Sequence, residues 1–472
     1  MKILLINPPY IQFSGIKNSG GHAIPLNLAY LAGYLRKYLD CGIKVMDAET
    51  HEMDYSDIRR GIVDYQPDIV GISTPTPVFN HVAAIAKIIK NINPGIFVIA
   101  GGPHPSAFPE EAINTGFIDF AVRGEGELTF YELAAMIAGG CDDYGRIKGI
   151  AYKKNDKVIL TGERELIEDI DSIPFPARDL FNLDSYYQAP TKKVSNFKST
   201  SILTSRGCPY DCMHCISKLI WRRRVRYRGV KTVVDEIEEC VKKYGIREFN
   251  FYDDTFTLNK KRVIDICRTI TERKLDIAWI CFGRINIIDK EMLEEMKKAG
   301  CRKISFGLES GSQKILDIMR KNTTVDMGRK AVKAASDAGL SVHASFMLGN
   351  IGETHETIRQ TIDYAKELDL DNATFFLTTP FPGTDLYTEA LKSGCLAGNL
   401  SWEDFAPLTK SNPILVQNNI TQDELIAWQK RAFKEFYLRP KYLLRKLRSI
   451  HSLDDIRMMI EGLGVFFRLQ KK

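Results

Sequence analysis

Residues 205–215 read S-R-G-C-P-Y-D-C-M-H-C, with Cys208, Cys212 and Cys215 in the spacing C-x3-C-x2-C. A short apolar run, 200–204, precedes them, so the first cysteine sits just past a strand. Gly207 and Pro209 disfavour an immediate helix, which leaves the thiols on a loop able to wrap a metal centre. A tetrahedral zinc site wants four ligands, usually as two separated pairs. Here the next cysteines are Cys240 and Cys267. Iron–sulfur clusters are held by thiolates at short spacing, and a loop with three of them leaves one iron open. Spacing alone leaves two readings: a cluster with an open iron, or an incomplete zinc site.

Downstream the chain repeats a strand, a polar or glycine-rich turn and a helix. Strands are expected at 248–252, 279–283, 303–307, 340–348 and 373–379, besides the run before the cysteines. That is the βα repeat of a barrel, whose chemistry sits at the C-terminal strand ends. About six strands suit a partial barrel over 196–399. Asp253-Asp254-Thr255-Phe256 ends one strand. Adjacent carboxylates there read as site residues or as a helix cap, because buried unpaired charge is costly.

Upstream, 1–140 alternates short apolar strands with amphipathic helices. The strands fall at 3–6, 44–47, 68–73, 95–100 and 117–122. Strands apolar throughout predict a parallel sheet covered on both faces, a Rossmann-like α/β domain. Ligands of such sheets bind beyond the carboxyl ends of the strands. There lie Ser73, Thr74 and Thr76, then Gly101-Gly102-Pro103-His104, then Gly124-Glu125-Gly126. None of these matches a dinucleotide or P-loop fingerprint, so nucleotide binding is not supported. A connecting segment, 141–195, holds a hairpin turning at Asn155-Asp156 and a proline-rich link, 171–180, expected to lie extended on the surface. The remainder, 400–472, reads as helical, with a capped helix at 423–437 and basic, apolar stretches at 442–448 and 454–469.

The C-x3-C-x2-C loop after a strand resembles the signature of the radical S-adenosylmethionine (SAM) superfamily. The resemblance implies a [4Fe–4S] cluster on Cys208, Cys212 and Cys215, whose open iron chelates SAM and whose reduction cleaves it to a deoxyadenosyl radical. It further implies SAM contacts from Tyr210, His214, Asp254, Arg284, Glu309, Ser310, Gly349, Gly352 and Glu353. His214 departs from the family pattern, which places an aromatic residue before the third cysteine.

The first domain resembles the cobalamin-binding domain found ahead of many radical SAM cores, through L-x-Y-L-A-x-x-L at 28–35, Gly101 to His104, and Val122-Arg123-Gly124-Glu125-Gly126-Glu127. The implied cobalamin contacts are Ser73, Thr74, Thr76, Gly101, Gly102, Pro103, His104, Gly124, Glu125 and Gly126. Where better-known cobalamin domains carry D-x-H-x-x-G, this chain reads Asp47-Ala48-Glu49-Thr50-His51-Glu52, with Glu49 in the histidine's place. Either cobalamin binds with its lower face open or otherwise held, or the domain has kept the fold and lost the cofactor.

The joint resemblance implies a cobalamin-dependent methyltransferase acting on an unactivated carbon. The alternatives are a radical SAM cyclase, ring-rearranging enzyme or oxidoreductase, and a non-enzymatic metal-stabilised binding protein. An external electron donor of flavodoxin or ferredoxin type and a small-molecule, lipid or tetrapyrrole-like substrate are implied. The net charge of +6 over 472 residues does not call for nucleic acid, although Arg222 to Arg228 form a dense basic run. Ten cysteines, mostly scattered with one tight group, suit a reducing compartment and a metal centre, and no apolar run spans a membrane, so the expectation is a cytoplasmic protein with at most peripheral membrane contact.

Overall fold

Adjacent residues along each early strand point to opposite sides of one sheet, and residues two apart share a side. In the computed structural model, which describes residues 1–9, 21–189, 192–406, 414–416, 419–440 and 442–444, that sheet has seven strands. They are β1 (Lys2–Asn7), β2 (Gly42–Asp47), β3 (Ile69–Ser73), β4 (Phe97–Gly101), β5 (Phe120–Val122), β6 (Ile150–Lys154) and β7 (Lys157–Leu160), in the order β2-β1-β3-β4-β5-β6-β7. The first five run parallel. Leu4, Ile6, Val70, Ile72 and Val98 bury one face with Ile58, Val82, Ile85 and Ile89. Ile3, Leu5, Ile69 and Ile99 bury the other with Leu28, Leu35, Phe130 and Leu133. The covering helices are α1 (Leu26–Tyr38), α2 (Tyr55–Tyr65), α3 (Phe79–Ile92) and α4 (Glu127–Ala138).

The hairpin assigned to the connecting segment belongs to this sheet. Asn155 and Asp156 both take positive φ, 49° and 59°, as a tight hairpin turn needs. β6 pairs antiparallel with β5, so the hairpin covers an edge that would otherwise expose unpaired backbone. The proline-rich link is also not a surface strap. Ile170, Ile173, Ala177 and Arg178 are buried. The Phe175 carbonyl lies 2.6 Å from where a Cβ on Gly33 would stand, so a bare glycine lets α1 press against the link. Arg178 ion-pairs at 2.7 Å with Glu236, itself buried.

The second unit is a six-stranded parallel half-barrel: β8 (Lys198–Ile202), β11 (Ile246–Phe251), β12 (Ala278–Gly283), β13 (Cys301–Glu309), β14 (Ser341–Leu348) and β15 (Asn372–Leu377), in that order. The short β9 (Ser205–Arg206) and β10 (Arg226–Tyr227) pair antiparallel beside it. Its outer core contains Phe249, Phe251, Trp279, Ile304, Phe306, Phe346 and Phe375. Strand alternation therefore turns Ser201, Asn250, Ser305, His343 and Ser345 inward, which gives the lumen a polar lining. α11 (Gln422–Tyr437) follows α5 (Val230–Tyr244), α6 (Lys260–Glu272), α7 (Lys290–Lys298), α8 (Val325–Asp337), α9 (His355–Glu367) and α10 (Asp385–Lys392). A Thr421–Glu424 capping box starts α11, whose Leu425, Phe433 and Phe436 join the barrel core. This helix packs against the barrel. The stretch 454–469 lies outside the described residues, as does most of 442–448. Among the described residues no helix is long and apolar enough to cross a membrane.

Candidate active site

Cys208, Cys212 and Cys215 occupy the loop between β9 and the short helix Ser217–Trp221. The loop's path is dictated at its start. Gly207 takes φ 97°, and a Cβ there would stand 2.0 Å from the Arg224 carbonyl. Backbone bonds hold the rest: Met213 N–H donates to the Met319 carbonyl, and Leu386 N–H to that of Met213, both at 3.0 Å. All three thiols are free. Among the described residues no three His, Cys, Asp or Glu side chains converge on one ion. Burial pushes the Cys215 thiol up to about 11, so it needs a bound cation to release its proton at neutral pH.

The expected SAM residues divide in two. One set does gather at the cluster loop. Arg284 Nη1 lies 3.7 Å from Cys212 Sγ, and its Nε donates to Asn286 Oδ1 at 2.9 Å. The guanidinium also lies over the Tyr210 ring. Asp254 accepts from the Gly207 N–H at 3.1 Å, and burial raises its carboxyl above the usual range. Glu309, at φ 62°, is buried and paired at 2.7 Å with Lys321. Burial opposes its charge, but Lys321 holds its carboxyl below the ordinary value. His214 lies in the same field. Burial pushes its ring down to about 4, and its Nδ1 is buried without a partner.

The second set is occupied with the fold. Ser310 is fully buried, and its hydroxyl meets that of Thr361 on α9 at 3.0 Å. Glu353 is fully buried and accepts from the N–H groups of Gly349 (2.5 Å) and Asn350 (2.8 Å), stapling its own turn. Added Cβ atoms on Gly349 and Gly352 would meet Leu425 at 3.1 Å and Ile318 at 2.9 Å, so the packing here also requires glycine. Asp253 is likewise structural. It accepts from Thr204 N–H at 2.6 Å and Ser205 Oγ at 2.8 Å.

At the carboxyl edge of the first sheet, Thr74 N–H donates to the Gly101 carbonyl at 2.8 Å. A Cβ on Gly102 would stand 3.1 Å from the Thr74 carbonyl oxygen. Gly124 and Gly126 have no heavy atom within 4 Å of a hypothetical Cβ. They leave an open cradle of the kind a flat macrocycle needs, and on this count the chain fits a corrinoid. Four of the expected contacts are spoken for. His104 is fully buried, stacked on Phe79 with centroids 3.9 Å apart and edge-on to Trp402 at 5.0 Å. Burial holds it neutral, with a pKa of about 4, so it packs as an apolar ring. Thr74 is buried and donates its hydroxyl to the Ile72 carbonyl, and Thr76 is buried in a turn. Glu125 accepts from Arg206 and Arg226 at 2.7 Å each. Of the Asp47–Glu52 stretch, Asp47 accepts from Asn7 and Tyr186, Glu49 from Asn7, and His51 is exposed.

Sequence reasoning missed Arg206, Arg226, Glu127 and Lys321. Arg206 was legible only as a neighbour of Cys208, and Glu127 as the end of the G-E-G-E run. The dense basic run divides. Arg222, Arg223 and Arg224 are exposed, whereas Arg226 and Arg228 are buried in ion pairs with Glu125 and Glu236.

The radical SAM superfamily model matches residues 202–365, and the B12 binding domain model matches residues 15–134. The chain is 39% identical over 465 residues to the uncharacterized methyltransferase PH0819 of Pyrococcus horikoshii, covering 98% of both proteins. It belongs to the B12-binding-domain radical SAM enzymes. A second member, the anaerobic magnesium-protoporphyrin IX monomethyl ester cyclase of Rubrivivax gelatinosus, is 31% identical, covering 94% of this chain and 78% of the relative. The fold is shared with the radical SAM methyltransferase TsrM of Kitasatospora setae, solved with cobalamin and a [4Fe–4S] cluster (TM-score 0.69, 21% identity, 85% of this chain and 76% of that one). As a family member the enzyme takes the [4Fe–4S] cluster, SAM and cobalamin as cofactors.

Proposed function

We propose that this enzyme transfers a methyl group to an unactivated carbon of a small-molecule or tetrapyrrole-like substrate. The observation that supports this best is the direct ionic junction between the cluster loop and the Gly124–Glu127 loop, which brings both cofactor loops to one interface. Similarity to the Pyrococcus methyltransferase along almost the whole chain supports it too. Bound at these loops, the cluster with SAM supplies a carbon-centred radical and the corrinoid a methyl group.

The chain's own residues hold and exclude. Cys208, Cys212 and Cys215 would ligate three irons, and Arg284 places a fixed positive charge against Cys212. Asp254 and Glu309 offer carboxylates to an ammonium or ribose diol. Glu309 would exchange or share its bond to Lys321 in doing so. The inward Ser201 Oγ and both amide atoms of Asn250 are buried without partners and are available to a polar group of the substrate. An external electron donor reduces the cluster.

The similarity to the Rubrivivax cyclase supports a second reading, oxidative ring closure without methyl transfer. Anaerobic incubation of the reconstituted enzyme with SAM, reductant and candidate substrates separates the two. Methyl transfer gives S-adenosylhomocysteine in proportion to methylated product. Deoxyadenosine with no S-adenosylhomocysteine above the substrate-free blank would overturn the methyltransferase reading and favour the cyclase.

A further inference from the structure

Four buried charges join the loop carrying the first cluster cysteine to the loop that follows β5 of the N-terminal sheet. Arg206 Nη1 lies 2.7 Å from Glu125 Oε1, and its Nη2 lies 2.5 Å from Glu127 Oε1. Arg226 Nη1 lies 2.7 Å from the other oxygen of Glu125. The four side chains are 3–10% exposed. Arg206 and Arg226 are register partners across β9 and β10. Trp221 lies 5.7 Å from the Arg206 guanidinium and 5.4 Å from that of Arg226, and Tyr30 lies 5.5 Å from Arg206. Glu125 is further tied to the Ile167 N–H at 2.9 Å, and Arg226 donates to the Ile167 carbonyl at 2.7 Å.

The quartet carries two positive and two negative charges, so it is neutral as a unit. Burial opposes the charges of Arg206 and Glu127, yet Glu127 and Glu125 raise Arg206 above its ordinary value, and Arg206 lowers Glu127. Apolar side chains of similar volume would bury this interface at least as stably. What charged pairs add is direction, because a guanidinium meets carboxylates only within its own plane. The placement gives that direction a use. Arg206 is separated from Cys208 by Gly207 alone, and Glu125 lies between Gly124 and Gly126, the two open positions of the cradle.

We propose that the Arg206–Glu125–Arg226–Glu127 quartet sets the spacing and mutual orientation of the cluster and the corrin. Arg206 is then a positioning residue: it touches neither cofactor and acts through the two loops. The proposal rests on the reading that both cofactors bind this chain.

The experiment uses the full chain reconstituted with cluster and cobalamin. Both are paramagnetic, as reduced cluster and cob(II)alamin, so pulsed dipolar EPR reads the distance between them without any substrate. Native enzyme should give one narrow distance distribution. R206K keeps the charge but loses the planar fork, and should retain iron and corrinoid while the distribution shifts or broadens. S-adenosylhomocysteine formed by methylating the corrin should fall by about 10²-fold, the scale of a misplacement near 1 Å. If R206K does not fold, E125Q, which preserves shape and releases the charge, should show the same broadening. Native-like distributions in R206K or E125Q, with only a lower melting temperature, would overturn the proposal and leave the quartet a structural ion pair. Native enzyme that retains no corrinoid would instead overturn the two-cofactor reading, and the proposal with it.

Discussion

The guanidinium of Arg284 lies 3.6 Å from the centroid of the Tyr210 ring, while its Nη1 faces Cys212 Sγ. Arg284 directly follows β12, and Tyr210 lies between the first two cluster cysteines, so this contact pins the loop to the barrel. A desolvated cation–π pair contributes about 2 kcal/mol. Positive charge and hydrogen bonds at a cluster's sulfurs tune its reduction potential. Substitution R284M should therefore leave iron content near native and lower the potential, with R284K between the two. Spectroelectrochemical titration checks this, and equal potentials in all three proteins would remove Arg284 from the cluster's environment.

The three loop cysteines predict an all-or-none metal centre. Any one of C208A, C212A or C215A should drop reconstituted iron from about four per chain to a trace and abolish deoxyadenosine formation. C240A removes a fully buried core thiol in α5 and should retain the iron. Iron analysis with circular dichroism distinguishes lost ligation from lost fold.

Two glycines at the cradle should respond differently. Gly126 has an ordinary φ of −92° and open space around a hypothetical Cβ. G126A should leave apo-protein stability within about 0.5 kcal/mol of native and reduce the corrinoid retained after desalting. Gly102 takes φ 134° against the Thr74 backbone, so G102A should cost about 1–3 kcal/mol without any cofactor present. A native corrinoid content in G126A would place the macrocycle elsewhere.

Glu435 anchors α11 to α9. Bonds from Arg359 and Lys366 hold its carboxyl at about 2 instead of 4.5. A depressed carboxyl contributes stability that is present above the unfolded value and lost as pH falls through the folded one. The window is thus pH 4.5 down to about 2, and the contribution is of order 1–3 kcal/mol. Urea unfolding of native enzyme should weaken between pH 5 and pH 3, and E435Q should show a flatter acid limb.

Glu353 works in the opposite direction. Burial raises its carboxyl to about 7 against the pull of its two backbone hydrogen bonds. Between pH 4.5 and about 7 the folded form keeps a proton that the unfolded chain has lost. Stability therefore falls as pH rises through that window. In E353Q this decline should disappear, making the variant relatively more stable at pH 8 than at pH 5. An unchanged pH profile in E353Q would be inconsistent with a buried carboxyl that titrates near neutrality.

The sequence by itself determined the two α/β units, the alternation of strand and helix within each, the six-stranded partial barrel and the cysteine loop. Each of these rests on local periodicity or on ligands a few residues apart, which a linear reading can see. Only the tertiary structure decided which polar residues are free to act. Glu125 and Arg206 are separated by about eighty positions, yet they neutralise each other. Ser310, Glu353 and His104 look like site residues in a motif, and each also has a partner inside the fold: Thr361, the backbone of its own turn and the Phe79 ring. The hairpin at 150–160 joins the first sheet because an edge strand needs a partner. Burial and long-range charge pairing depend on which segments meet, and no local spacing encodes that.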